Sequence, residues 1–207
     1  MNLKTIWGFS IMLFSSNCTK IETPPYTVLK TYKDFEIRKY EETLVAEVTV
    51  KDPFPEAGNA GFRILANYIF GGNRSKTSIP MTSPVEQEPK EIPEKIKMTA
   101  PVDMIHGSKG YLVRFYMPSK YTHLDSLPEP LDKRILLRKH PDLIMAARTF
   151  SGSWQKKHFE HHQNILTQAL KEENIPSYGK FIFSRYNSPW TLWFLRRNEV
   201  MIEVKSF

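Results

Sequence analysis

The feature that most constrains the fold is an order of elements that occurs twice along the chain. In the first half, alternating apolar and polar residues over 35–40 and 44–50 predict two strands, and the spacing of apolar residues over 62–70 predicts an amphipathic helix. In the second half, strand patterns over 134–150 precede a predicted helix over 154–173, and further strands follow. No linker separates the halves. The repeat predicts one pseudo-symmetric α+β domain, with two helices packed on an antiparallel sheet.

Turn residues and apolar runs mark the other boundaries. Gly71 and Gly72 are predicted to end the first helix by supplying left-handed backbone conformations. The second helix carries one apolar face, made by Phe159, Leu166, Ala169 and Leu170. Two similar pieces, 81–85 and 98–102, have extended character, and further strands are predicted over 111–117, 181–186, 192–195 and 200–204.

Composition narrows the classes of function. The 29 Lys and Arg outnumber the 22 Asp and Glu, but the cations form no long run. This spread predicts no nucleic-acid partner and favours a solvated surface. The single cysteine, Cys18, excludes an intrachain disulfide and a zinc site built from cysteines.

The N-terminus has the pattern of an export signal. Lys4 precedes a short apolar stretch over 6–14, and small or polar residues lead to Cys18. This arrangement resembles a bacterial lipoprotein signal, which implies a signal peptide over 1–17, a lipidated cysteine with a tether over 18–30 and a domain over 31–207. It implies an exported protein anchored to the cell envelope by lipid, with the outer membrane favoured because Thr19 replaces the Asp that commonly retains lipoproteins in the inner membrane. An ordinary signal peptide with an incidental cysteine is the alternative.

Several segments, taken in order, resemble the SOUL family of haem-binding proteins. They are the segments 35–40, 62–73, 79–85, 98–102, 186–190 and 195–200. The resemblance covers roughly residues 26–205. It implies a twisted antiparallel sheet or partial barrel of about eight strands, built from two repeats and flanked by two helices. The same shape occurs in effector-binding domains of some transcription regulators.

The resemblance also implies a function, which is non-covalent binding of b-type haem or another porphyrin without catalysis, by a monomer. In some animal members a histidine proposed as the axial ligand follows an Ile-Arg pair, and here Lys39 stands at that position. An apolar cleft beside the first helix is therefore expected to hold the ligand. Its predicted residues are Phe62, Arg63, Ala66, Asn67 and Phe70 on the helix and Asn187, Pro189 and Trp190 on a late loop. Core packing for the two phenylalanines and a solvated position for Arg63 remain open.

Two other functions remain open. Glu199, beside a Trp-rich segment, could be a buried carboxylate that serves a small-molecule hydrolase or a ligand sensor. Alternatively, the domain is a surface protein that contacts a partner and binds no small ligand. No Gly-x-Ser-x-Gly or His-Glu-x-x-His motif occurs. His158, His161 and His162 have helical spacing, but a solvated helix face is favoured over a metal site.

Overall fold

The computed structural model describes residues 21–54, 56–75 and 93–205. The elements follow the chain in the order β1 (Tyr26–Thr31), β2 (Glu36–Tyr40), β3 (Thr43–Val50), α1 (Glu56–Ile69), β4 (Asn73–Arg74), β5 (Val102–Gly107), β6 (Gly110–Tyr116), β7 (Glu129–Pro130), β8 (Leu136–His140), β9 (Leu143–Phe150), α2 (Lys156–Glu172), β10 (Ser177–Arg185) and β11 (Asn198–Val204), with short 3-10 helices at Leu124–Ser126 and Trp193–Leu195.

Nine of the described strands form one antiparallel sheet, which curls into a half-barrel. Its order is β1-β2-β9-β11-β10-β5-β6-β3-β8, and β4 pairs separately with β7. The predicted α+β fold with a twisted sheet and two helices is therefore confirmed, with nine strands in place of about eight. Apart from β1, each strand of the first half has an equivalent in the second half at the mirrored position of the order. The equivalent pairs are β2 and β8, β3 and β9, β6 and β11, and β5 and β10.

This equivalence is a pseudo-twofold relation between the two halves of the chain. It is visible in the residues, because Arg38-Lys39-Tyr40 in β2 and Arg138-Lys139-His140 in β8 occupy equivalent places. Each half contributes two strands, a helix and two strands, so the sequence repeat corresponds to a structural repeat.

The helices cover one face of the sheet. Helix α1 packs on β3 and β6, while α2 packs on β9, β10 and β11. The buried residues of α2 are Phe159, Leu166, Ala169 and Leu170, the four that periodicity predicted. On α1, Gly61 lies against Val113 so closely that a β-carbon there would overlap the valine side chain. Helix α1 is followed by Gly71 with a φ of +119°, in agreement with a glycine that ends the helix.

Three segments differ from expectation. Residues 26–30, which were assigned to the tether, form edge strand β1 together with Thr31 and pair with β2. The predicted strand over 192–195 is a short 3-10 helix, because it has no neighbouring strand to pair with. The strand over 102–107 was not predicted beyond residue 102, where the extended piece over 98–102 ended.

The predicted signal peptide with Cys18 and the piece over 81–85 lie outside the described residues. No helix in the described part of the chain is long and apolar enough to cross a membrane.

Candidate functional site

Four of the five predicted site residues near the first helix lie on α1, and Phe70 follows directly after its last residue. Phe62 is half-buried, with its ring centroid 5.5 Å from that of Phe115, so it belongs partly to the core. Ala66 is also half-buried, whereas Arg63 and Asn67 are exposed. Phe70 keeps 60% of its surface exposed. Core packing therefore accounts for part of Phe62 but not for Phe70.

The loop between β10 and β11 carries the largest exposed apolar side chains of the described chain. We call residues 186–197 the apolar loop. Trp190 is 93% exposed, and the next apolar residues are between 52% and 64% exposed: Leu192, Trp193, Phe194 and Leu195. Soluble monomers rarely expose a contiguous apolar patch unless it binds something. The apolar loop is therefore a candidate contact surface.

Hydrogen bonds brace this loop from its base. Tyr186 donates its backbone N–H to the Arg197 carbonyl at 3.2 Å, and Gly152 donates to the Trp193 carbonyl at 3.0 Å. The guanidinium of Arg196 donates to the carbonyls of Thr191 and Pro189, each at 2.8 Å. The loop backbone is thus held in one conformation while its apolar side chains face solvent.

Among the three predicted loop residues, the roles differ. The side-chain oxygen of Asn187 accepts a hydrogen bond from the Arg197 backbone N–H at 2.6 Å, so Asn187 shapes the loop. Pro189 offers its carbonyl to Arg196 and is exposed. Only Trp190 presents a large free surface. The structure describes no ring contact or hydrogen bond between this loop and Phe62, Arg63, Ala66, Asn67 or Phe70.

Glu199 lies on the opposite, helix-free face of the sheet, because its neighbour Val200 belongs to the core beneath the helices. Its side chain is fully buried and accepts hydrogen bonds from Arg38 at 2.9 Å, Arg197 at 2.7 Å, Thr149 at 2.9 Å and Tyr186 at 2.7 Å. We call these five residues the Glu199 cluster. Burial alone would raise the pKa of Glu199, but Arg38 and Arg197 hold it below the ordinary value.

The chain matches one family model over nearly all of its described length. The model is described as SOUL haem-binding protein, and it matches residues 21–203. The chain belongs to the SOUL family. This confirms the resemblance inferred from the motifs. No curated protein matches the chain.

Solved structures similar to this SOUL domain include a domain of EcmrR and a hydrolase. The C-terminal domain of EcmrR has a TM-score of 0.55 at 11% identity, covering 88% of this chain and 99% of that chain. A hydrolase from Listeria innocua has a TM-score of 0.53 at 12% identity, covering 86% and 94%. EcmrR in a complex with DNA has a TM-score of 0.57 at 10% identity, covering 83% and 57%. At such identities the likeness shows the fold alone.

The helix-free face of this SOUL domain is filled by its own side chains. One cavity of about 10 Å³ lies among Tyr40, Tyr116 and His140, and another of about 30 Å³ lies beside Pro24 and Met117. Pockets for small ligands usually enclose about 300–1,000 Å³. A tetrapyrrole therefore fits in neither of these two cavities.

The histidines of α2 are not uniformly solvated. His162 stacks on Phe150 with a centroid distance of 3.8 Å and accepts a hydrogen bond from Arg148 at 3.2 Å. Burial, followed by the charge of Arg148, lowers its pKa to about 4. His158 is half-buried, and only His161 is exposed. Within the described residues, no group of three or more His, Cys, Asp or Glu could hold a metal ion.

The residues that sequence patterns missed are those of the apolar loop after Trp190. Leu192, Trp193 and Phe194 were assigned to a strand because aromatic and aliphatic residues are typical of one. The available signal was the preceding turn at Ser188 and Pro189, which excludes a strand that continues from β10.

Proposed function

We propose that this SOUL protein binds haem or a related tetrapyrrole without a covalent bond, on the open surface formed by its apolar loop. The observation that carries the proposal is the exposure of Trp190, Trp193 and Phe194 on a loop whose backbone is already fixed. A flat, largely apolar macrocycle gains most from aromatic surface that is ordered before binding. Family membership supports the ligand class.

The mode of binding follows from which groups are available. Two cavities of the described domain are too small for a tetrapyrrole, which favours a surface site, and exposed Lys39 replaces the histidine proposed as axial ligand in some relatives. We infer a b-type, non-covalently held ligand that contacts Trp190 and its neighbours. The predicted face of α1, with Phe70 exposed, is a second place where the ligand could contact the domain.

The proposed role is non-catalytic, as a carrier, buffer or scavenger. Glu199, the candidate residue for a hydrolase or a sensor, is fully buried and already accepts hydrogen bonds from two arginines. A carboxylate neutralised in this way offers little attraction to a cationic ligand and has no route to an activated water.

The remaining elements of the proposal concern location and assembly. We propose a monomer that is exported and held to the bacterial envelope through a lipid on Cys18. The position of the only cysteine, after a short apolar stretch, supports this. Incorporation of a labelled fatty acid tests the anchor. Label in the wild type that disappears in Cys18→Ala supports lipidation, and equal label in both refutes it.

Titration of the full chain with haemin tests the function. We expect a saturable change in the Soret band with sub- to low-micromolar affinity. Replacing Trp190 and Trp193 together with serine should weaken binding about tenfold or more, because buried aromatic area is lost. The matched control is Tyr178→Ser, which removes a 40% exposed aromatic from the far end of β10.

The outcomes of the titration distinguish between the candidate functions and between the candidate binding sites. Binding that does not saturate refutes tetrapyrrole binding and leaves a domain that contacts a partner. Saturable binding that survives the loss of both tryptophans but falls in Phe70→Ser moves the ligand to the face of α1. Equal losses in Tyr178→Ser and in the double variant would mean that haemin adheres to any exposed aromatic residue.

A further inference from the structure

Arg185 is a buried arginine that forms no ion pair within the described residues. It is 8% exposed at the end of β10, on the helix-covered side of the sheet. Its Nε and Nη2 atoms are buried without a hydrogen-bond partner. Buried charged groups are normally paired, so an unpaired guanidinium marks a place where a partner is missing.

The contrast with the other buried arginines is direct. Arg38 donates to Glu199 at 2.9 Å, and Arg114 donates to Glu47 at 2.8 Å. No ion pair to a carboxylate is formed by Arg185 in the described chain. Burial, and then the charge of Arg196, lowers the pKa of Arg185 to about 10. The attraction of an anion beside Arg185 would offset both effects.

Two aromatic rings and a glycine form the walls around this guanidinium. Its central carbon lies 5.1 Å from the ring centroid of Trp154 and 5.7 Å from that of Phe54. Gly58 stands where a β-carbon would come within 2.7 Å of Nη1, so a side chain there would crowd the group. The guanidinium thus occupies a space that the chain leaves clear for it.

The groups around the Arg185 guanidinium carry mainly positive charge. Trp154 lies just before α2 and Phe54 just before α1, so the N-terminal ends of both helices, with their partial positive charge, begin near Arg185. The guanidinium carbon of Arg196 also lies over the Trp154 ring, 4.2 Å from its centroid. Glu56, the acidic residue in the first turn of α1, is exposed and makes no ion pair with Arg185 in the described chain.

We propose that Arg185, assisted by Arg196, is the receptor for a carboxylate of the bound ligand. Arg196 also braces the apolar loop, so the anion and the exposed aromatic residues belong to one surface. A tetrapyrrole with carboxylate side chains matches it, with its ring on the loop and an acid group against Arg185. The identity of that carboxylate rests on the proposed function, whereas the anion site itself does not.

The first arm of the test uses inorganic phosphate as a simple anion. Thermal unfolding of the full chain is compared in phosphate and in chloride at equal ionic strength. We expect phosphate to raise the wild-type Tm by about 2–4 °C more than chloride does, since a ligand that binds only the native state stabilises it. Arg185→Met should abolish this difference. Arg134→Met removes an exposed, equally charged guanidinium and should leave it intact.

The second arm compares haemin with its dimethyl ester. We expect the wild type to bind the free acid about tenfold more tightly than the ester, because a charge-assisted hydrogen bond is lost on esterification. The ratio should fall to near one in Arg185→Met. If that variant fails to fold, Arg185→Lys keeps the charge without the planar fork, and a clearly smaller ratio is expected there.

The outcomes separate the two proposals. A phosphate effect that depends on Arg185, in a protein that binds neither haemin nor its ester, supports the anion site and refutes tetrapyrrole binding. Haemin binding with an acid-to-ester ratio and a phosphate effect that do not change in the Arg185 variants overturns the assignment of Arg185 and leaves the proposed function standing.

Discussion

Replacing Glu199 by glutamine separates a structural carboxylate from a functional one. In the native protein this fully buried carboxylate accepts four hydrogen bonds of 2.7–2.9 Å from the other members of the Glu199 cluster, two of them from arginines. Glutamine keeps the shape but removes the buried countercharge of Arg38, which is 3% exposed and then keeps only the half-buried Glu36 at 2.7 Å. Removing one partner of a buried pair typically costs about 3–5 kcal/mol. We expect a loss of that size in the free energy of unfolding, with haemin affinity changed little.

Urea denaturation followed by circular dichroism measures the loss. The matched control is Glu203→Gln on the same face of β11, where the carboxylate makes no ion pair in the described chain and a change below about 1 kcal/mol is expected. Adding Arg38→Met to Glu199→Gln should restore part of the stability, because the buried charge that has lost its buried partner is then removed. A small loss of stability together with a large loss of ligand affinity would refute this reasoning and favour a ligand-contacting Glu199.

Three further substitutions test the packing and the protonation of the fold. Burial, and then Arg114, lowers the pKa of His140 from 6.5 to about 4, so its contribution is present above about pH 6.5 and is lost as the pH falls toward 4. Wild type should therefore lose about 2 kcal/mol more than His140→Gln between those limits in urea titrations, and equal losses would contradict this. Gly61→Ala should destabilise the protein by about 1–3 kcal/mol in the same assay, because its methyl group overlaps Val113; a neutral result would mean that α1 shifts freely. Tyr68→Phe should cost about 1–2 kcal/mol, because the Pro128 carbonyl loses a buried hydrogen bond of 2.9 Å, and no change would imply that water replaces the hydroxyl.

The helices and the repeat were predictable because burial imposes a period on neighbouring residues. The apolar face of α2 occurs at helical spacing, so its four buried residues could be identified without a structure. Strands β2 and β3 were likewise predicted from the apolar and polar residues over 35–40 and 44–50. Strand β1 was missed for the opposite reason. All of its residues are exposed except half-buried Tyr26, so no alternation distinguishes it from a tether.

The site was less predictable because it depends on contacts between distant parts of the chain. Arg38 and Glu199 are 161 residues apart, and no local pattern pairs them. The apolar residues after Trp190 have the composition of a buried strand, yet the loop has no neighbouring strand and turns them outward. The environment of Arg185 could not be predicted for the same reason. In the sequence it is a cation at the end of a strand, and its burial depends on the distant residues Phe54 and Trp154.

The distribution of buried charge explains why the two faces of the sheet are suited to different tasks. On the helix-free face, Arg38 and Arg114 are paired with carboxylates, and the cavity among Tyr40, Tyr116 and His140 is only about 10 Å³. Among the described residues, this face is suited to stabilising one conformation. Beside the helix N-termini, Arg185 is buried and unpaired in the described chain, next to a braced loop of exposed aromatic residues. An apolar ligand with an acidic group would satisfy both features at once, and this is the chemistry of a tetrapyrrole that carries carboxylates.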